Sequence, residues 1–176
     1  ISCNIGCADH RIARSRPLRC SINPDIIHGD AYKMRRVNRD TNVVVIGAGT
    51  AGMEAACTAA EVGCHTWLLE AKNHVGGLAS EISRLPEKKR IADFPQFMKN
   101  RIASLDNLML QIGKRADVAS VSALRPHLIV NATGSTPLLP PIEGLRENID
   151  VENGKIFSIT GMIDNLAKFT DIKGKR

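Results

Sequence analysis

Gly47, Gly49 and Gly52, in Gly47-Ala48-Gly49-Thr50-Ala51-Gly52, are the residues of this 176-residue chain whose spacing most directly suggests chemistry. At a strand-to-helix turn, three glycines so spaced have separate tasks. The first permits the tight turn. The second, lacking a side chain, lets the backbone approach a pyrophosphate, and the third lets the helix pack closely on a sheet. The N–H groups and dipole at the helix start then favour phosphate charge. Glycine triplets also arise by chance, so context decides. Here a β-branched run, Val43-Val44-Val45-Ile46, precedes the glycines and an Ala-rich stretch follows. Glu70 ends the next strand pattern, 18 residues after Gly52. A carboxylate there accepts hydrogen bonds from ribose hydroxyls and repels a 2′-phosphate, which favours FAD, ADP or NAD over NADP. Ala48, Thr50 and Ala51 in the turn, and Ala71 and Lys72 beside Glu70, complete this first group of candidate contacts.

Two later motifs bear on which dinucleotide is meant. Gly76-Gly77-Leu78 follows Glu70 closely, and Asn131-Ala132-Thr133-Gly134 follows a second buried strand pattern. Simple NAD domains need neither. In flavin disulfide-reductase-type domains a double glycine lies against the cofactor and an Ala-Thr-Gly turn closes over it. Gly76, Gly77, Leu78, Ala132, Thr133 and Gly134 are therefore candidate FAD contacts.

The cysteines form a second set. Cys3, Cys7 and Cys20 are three soft ligands within twenty residues, a spacing that suggests metal or cluster ligation rather than disulfides. A 4Fe-4S cluster takes four thiolates, so one ligand is lacking. A zinc site could take His10 as its fourth, and both readings stay open. Cys57 falls on the packed face of a helix pattern and Cys64 at a strand entry, which makes both structural. No residue is singled out as catalytic.

The elements that position these residues follow from periodicity. The spacing predicts strands at Val43–Ile46, His65–Glu70, Leu108–Ile112 and Leu128–Ala132. It also predicts a helix after Gly49 that buries Met53, Ala56, Cys57 and Ala60 and stops at Gly63. Asp93 and Gln96 have capping-box spacing, with Pro95 in the first turn and a stripe of Phe94, Phe97, Met98, Ile102 and Leu105. Strand, helix, strand, helix, strand is the pattern of an α/β fold with a doubly wound parallel sheet, a Rossmann-like three-layer FAD/NAD(P)-binding domain. Residues 42–144 form that domain. Residues 1–41 are a cysteine-containing segment with too little apolar surface to order itself. Residues 145–176 form a connector with a short strand at Lys155–Ile159 and a helix around Met162–Phe169. Ile1 at the start and Lys173-Gly174-Lys175-Arg176 at the end predict a fragment of a larger enzyme.

Composition excludes other classes. Aromatic residues are 3% of the chain, too few for base-stacking modules. The net charge of +6 is mostly an N-terminal feature, with eight Lys and Arg against four Asp in residues 1–41, and no groove-entering helix accompanies it. No nucleic-acid partner is expected. No apolar run approaches the ~20 residues of a membrane span and no signal peptide is evident, so the expected location is cytoplasmic.

Ser2-Cys3-Asn4-Ile5-Gly6-Cys7, Cys20, Val43-Val44-Val45-Ile46-Gly47-Ala48-Gly49-Thr50-Ala51-Gly52-Met53-Glu54-Ala55 and Asn131-Ala132-Thr133-Gly134 together resemble the iron–sulfur flavoenzymes typified by 2,4-dienoyl-CoA reductase and trimethylamine dehydrogenase. The resemblance covers essentially the whole chain. It implies an FMN-bearing old-yellow-enzyme-type barrel on which this domain docks, a 4Fe-4S cluster held in part by Cys3, Cys7 and Cys20, and a missing NAD(P)H-binding domain that begins just after residues 171–176. The family's first cluster cysteine would stand immediately before Ile1. Electrons would pass from NAD(P)H to FAD, through the cluster to FMN, and on to a small-molecule substrate with an activated alkene, such as an enoyl or dienoyl compound. This fragment alone is expected to be inactive. In the trimethylamine dehydrogenase branch the equivalent domain carries ADP, so the alternative is a non-redox ADP-binding structural module. A third candidate is the small-subunit type of glutamate synthase, which also joins cysteines to such a domain.

Overall fold

A computed structural model describes residues 1, 3–23, 25, 26 and 29–169 of the chain. The predicted connector end at residues 171–176 lies outside the described residues, as do Ser2 of the cysteine motif and His28.

Four parallel strands form one sheet: β1 (Asn42–Ile46), β2 (His65–Leu69), β3 (Leu108–Gln111) and β4 (Leu128–Asn131). Their order is β3-β2-β1-β4. Val43 pairs with Thr66 on one side and with Leu128 on the other, and Thr66 pairs with Leu108. A central strand buried on both faces reads as a continuous apolar run, and Val43, Val44 and Val45 are all buried.

The crossover after β1 is α1 (Thr50–Glu61), which buries Gly52, Met53, Ala56, Cys57 and Ala60 as the spacing required. Its end is a Schellman turn. Gly63 has φ of 99°; its N–H donates to the Ala60 carbonyl at 2.9 Å and the Cys64 N–H to that of Ala59 at 3.0 Å. Next come α2 (Gly77–Ile82), a 3₁₀ segment (Pro86–Ala92) and α3 (Asp93–Ala103). On this face Val43, Val45 and Leu68 pack with Met53, Ala56, Cys57, Met98 and Ile102. On the other face Val44 and Leu69 meet Val121 of α4 (Val118–Ala123), with Ile46, Trp67 and Leu124 around them. Helices on both faces give the expected three layers, with α4 a thin third layer. Two short helices follow, α5 (Leu145–Asn148) and α6 (Ile159–Asp164).

Several local expectations are corrected. Asp93 makes no cap: the 3₁₀ turn leads straight into α3, so Asp93 already has helical φ and ψ, whereas an N-cap residue is extended. The capping box is at Asp117, with φ of −128°, where its carboxylate accepts from the Ser120 N–H and its own N–H donates to the Ser120 hydroxyl. Phe97 is exposed although its stripe neighbours Met98 and Ile102 are buried. Strand β2 stops at Leu69, β3 at Gln111 and β4 at Asn131. Lys155–Ile159 is not a strand. It contributes one bridge, Ile149 to Ile156, and then Ser158 caps α6 by accepting from the Gly161 N–H. The helix predicted to Phe169 breaks into α6 and a 3₁₀ turn at Leu166–Phe169. Residues 5–13 form a π-helical turn, Ile5–Ala13, that buries only Gly6.

Candidate functional site

The glycine loop sits where β1 meets α1, and its three glycines answer to different neighbours. Gly47 has φ of 100°, and a Cβ there would run into the Ala132 backbone. A Cβ on Gly52 would overlap the Gly47 carbonyl and lie 3.2 Å from the Ala132 methyl. Packing within the protein therefore accounts for both. Gly49 is different. Its φ of −73° suits any residue, and nothing lies within 4 Å of where its Cβ would be. No internal contact demands glycine there, and the space beside it is open to a ligand. The first-turn N–H groups of α1 have no carbonyl within the helix to bond, and they open onto the same face. This cradle fits a pyrophosphate.

Glu70, one residue past β2, closes the loop from below. Its carboxylate accepts from the Ala48 N–H at 2.7 Å and from the Lys72 N–H at 2.8 Å. An ionised carboxylate offers about four acceptor positions, so each oxygen keeps capacity for a ribose hydroxyl. The buried Ala48 acts through its backbone, and its carbonyl in turn accepts from the Gly76 N–H at 2.8 Å. Gly77 completes the contact: a Cβ on it would lie 2.9 Å from the Gly49 α-carbon. The double glycine thus packs on the phosphate loop, with Leu78, Ala71 and Lys72 exposed at its rim. Ala132 lies behind Gly47, its N–H continuing the ladder to the Ile46 carbonyl at 2.8 Å. Thr133 N–H and hydroxyl both donate to the Asn131 side chain, and Gly134 follows with φ of 81°. Gly47, Ala48, Gly49, Thr50, Ala51 and Gly52 are therefore gathered with Glu70, Gly76, Gly77 and Ala132 around one loop, and Thr133 and Gly134 stand at its β4 side.

Sequence reasoning did not find Glu81. On α2, it accepts from Lys72 Nζ at 3.1 Å and Arg84 Nη1 at 3.2 Å and lies 3.6 Å from His74 Nε2. Burial alone would raise its pKa, but the hydrogen bonds from Lys72 and Arg84 and the nearby charges outweigh this and hold it below the usual carboxylate range. No periodic pattern links Lys72 to Glu81, so the sequence carried no signal for the pair.

The cysteine segment lies beside this site. Cys20, Ser21 and Ile22 line a cleft of about 390 Å³ together with Thr50, Ala51 and Phe94. The chemistry of the thiols suits a soft metal. The Cys3 thiol is held below its ordinary pKa first by the Ser21 hydroxyl, 3.5 Å away, and then by backbone hydrogen bonding at Ile5. Backbone N–H groups of Ile22 and Asn23 do the same for Cys20. His10 Nδ1 is buried without a partner. Yet among the described residues no three His, Cys, Asp or Glu side chains are arranged to hold one metal ion. Cys3, Cys7 and Cys20 are therefore not gathered around one point in this arrangement. Cys57 and Cys64 are buried, and burial pushes the Cys57 thiol up to about 11. Among the described residues no helix is long and apolar enough to cross a membrane.

Comparison with known proteins finds relatives among flavin-dependent oxidoreductases. Residues 42–115 match the family described as FAD dependent oxidoreductase. An NADH oxidase of Thermoanaerobacter brockii is 37% identical over 164 residues, covering 89% of this chain and 25% of that protein. An N,N-dimethylglycine/sarcosine dehydrogenase of Chromohalobacter salexigens is 36% identical over 116 residues, 66% of this chain and 17% of that one. The solved structure of a 2-naphthoyl-CoA reductase with 2-naphthoyl-CoA superposes with a TM-score of 0.79 at 28% identity, over 84% of this chain and 23% of that one. The chain spans a quarter or less of the length of these relatives. The resemblance read from the motifs holds at this level: the chain carries an FAD oxidoreductase domain related to old-yellow-enzyme-like flavoenzymes.

Proposed function

We propose that this chain is the FAD-binding portion of an NAD(P)H-dependent flavin oxidoreductase that reduces an activated alkene, an enoyl- or dienoyl-type compound. The observation that carries the proposal is the open face of Gly49 opposite the Glu70 carboxylate. In this reading the first-turn N–H groups of α1 bind the pyrophosphate and the Gly49 α-carbon permits its approach. Glu70 accepts from the ribose hydroxyls, and Gly76-Gly77 holds the loop closed beneath the nucleotide. FAD bound there supplies hydride acceptance and single-electron release; the protein supplies binding and orientation. The likeness to the 2-naphthoyl-CoA reductase supports a CoA-thioester class of substrate for the whole enzyme.

The larger proposal places NAD(P)H, a 4Fe-4S cluster, an FMN barrel and the small-molecule substrate in the rest of the enzyme, in the cytoplasm, with this domain docked on the barrel. Cys3, Cys7 and Cys20 serve as cluster ligands only if they are drawn to a common point, and full-length enzyme purified anaerobically then carries about four irons per chain. Iron-free full-length enzyme overturns that assignment. A second reading, a non-redox ADP-binding module, follows from the resemblance to the trimethylamine dehydrogenase branch. The deciding experiment is to denature the purified chain and identify the released nucleotide by absorbance and mass. FAD supports the redox reading and ADP alone the structural one. A chain that releases neither, and takes up neither on titration, overturns both.

A further inference from the structure

We infer that Glu81 is a specificity-determining residue of the nucleotide site: by pairing with Lys72 it keeps the ribose edge anionic and excludes nucleotides bearing a 2′-phosphate. This inference rests on the assignment of Glu70 to the ribose. Lys72 is two residues beyond Glu70, and its own N–H donates to that carboxylate. Its backbone is therefore fixed beside that carboxylate, so the lysine stem starts next to the edge where a 2′-phosphate would emerge. A lysine in that position would normally attract such a phosphate, a doubly charged acceptor, and offset the repulsion from Glu70. In this fold it is held instead by Glu81 at 3.1 Å.

The geometry of α2 makes Glu81 an effective competitor. Its side chain is 16% exposed, against 57% for Lys72 and 45% for both His74 and Arg84. The anion is fixed and the cations reach to it. Arg84 is shared with Asp164 of α6 at 2.6 Å, so it keeps a partner of its own if Glu81 is neutralised. Lys114 comes near through its backbone, donating to the Glu70 carbonyl at 3.2 Å. Removing the charge of Glu81 thus releases Lys72 while the fold retains the link between Arg84 and Asp164. Glu81 touches no part of the nucleotide in this reading; it acts through Lys72.

The test is calorimetric titration of the full chain with ADP-ribose and with its 2′-phospho derivative. Wild type should bind ADP-ribose and discriminate against the 2′-phosphate. In Glu81→Gln the ADP-ribose affinity should stay within about twofold while the 2′-phospho compound gains about tenfold, with the gain fading as salt rises. Adding Lys72→Met to Glu81→Gln should abolish that gain, an effect that a general loosening of α2 would not produce. An unchanged preference in Glu81→Gln, with ADP-ribose still bound, overturns the role of Glu81 alone. A gain that survives Lys72→Met does so too. Wild type that binds neither compound overturns the nucleotide-site assignment itself.

Discussion

Substituting Gly49 by alanine separates ligand binding from folding at a single atom. In the folded chain the new methyl meets nothing within 4 Å, and φ of −73° accommodates it. Alanine at a compatible position stabilises by about 0.4–1 kcal/mol, through fewer unfolded conformations. As a helix N-cap it is poorer than glycine, at a cost on the order of 0.5–1 kcal/mol. The two nearly cancel, so the melting temperature should move by no more than about 2–4 °C for a domain of this size. Binding behaves otherwise. The methyl projects where a phosphate oxygen must approach, and losing one charge-assisted hydrogen bond costs about 1.5–3 kcal/mol, or roughly 10- to 150-fold in affinity. Gly52→Ala supplies the contrast. Its methyl overlaps the Gly47 carbonyl and crowds Ala132, and such overpacking costs about 1–3 kcal/mol or more. Thermal melts beside calorimetric titration with FAD and ADP read both quantities. Gly49→Ala that binds like wild type, or melts as early as Gly52→Ala, would falsify the account of the open cradle.

Arg101 clamps α3 to α1, donating to both oxygens of Glu61 at 2.6 and 2.7 Å and to Glu54 at 2.8 Å. Arg101→Met keeps the apolar stem but leaves two carboxylates without their cation, and should cost about 2 kcal/mol, measurable by urea unfolding; a change below about 0.5 kcal/mol would mean the clamp is no stronger than a surface pair. The cysteines should divide by reactivity. With Cys3 and Cys20 below their ordinary pKa and Cys57 pushed up to about 11, brief native alkylation should label the first two and spare Cys57, as peptide mass mapping would show. Glu81, held below its usual range by the Lys72 and Arg84 hydrogen bonds, and Asp117, held there by the Ser120 N–H and then its hydroxyl, both have depressed folded-state values. Their contribution is complete above the unfolded carboxylate range and is lost as pH falls through the folded values. The melting temperature should therefore fall between about pH 6 and about pH 3, and Glu81→Gln should flatten that fall; an unaltered slope would contradict it.

The sheet and its first crossover were legible in the sequence because local and tertiary signals agree there. Val43-Val44-Val45-Ile46 is β-branched and buried on both faces, and Gly63 ends α1 in the one conformation that disfavours other residues. Expectations failed where a local pattern met a neighbour the sequence does not announce. Asp93 and Gln96 have capping spacing, but the preceding Pro86–Ala92 turn delivers a chain that is already helical. Asp117 caps with Ser120 rather than with the Glu or Gln that the usual pattern seeks. Lys155–Ile159 is apolar enough to read as a short strand, yet Asp150 Oδ1 accepts from the Ser158 N–H at 2.8 Å and turns the chain into α6. Glu81 meets Lys72 across the turn at Gly76-Gly77 that leads into α2, a geometry set by two left-handed glycines rather than by periodicity.

The glycines show most clearly what the sequence could and could not decide. Read from spacing, Gly47 serves the turn, Gly52 the helix packing and Gly49 the approach of a pyrophosphate, while Gly76 and Gly77 are candidate cofactor contacts. In the folded chain Gly47 and Gly52 are explained by the approach of Ala132 and the helix start. Gly77 is explained by its contact with Gly49, and Gly76 by φ of 106° and the nearby Ser80 side chain. A domain that bound nothing would still need these four. Only Gly49 has ordinary backbone angles and free space around its missing side chain. The case for a phosphate-bearing ligand thus narrows from a five-glycine pattern to one position, where a single methyl decides it.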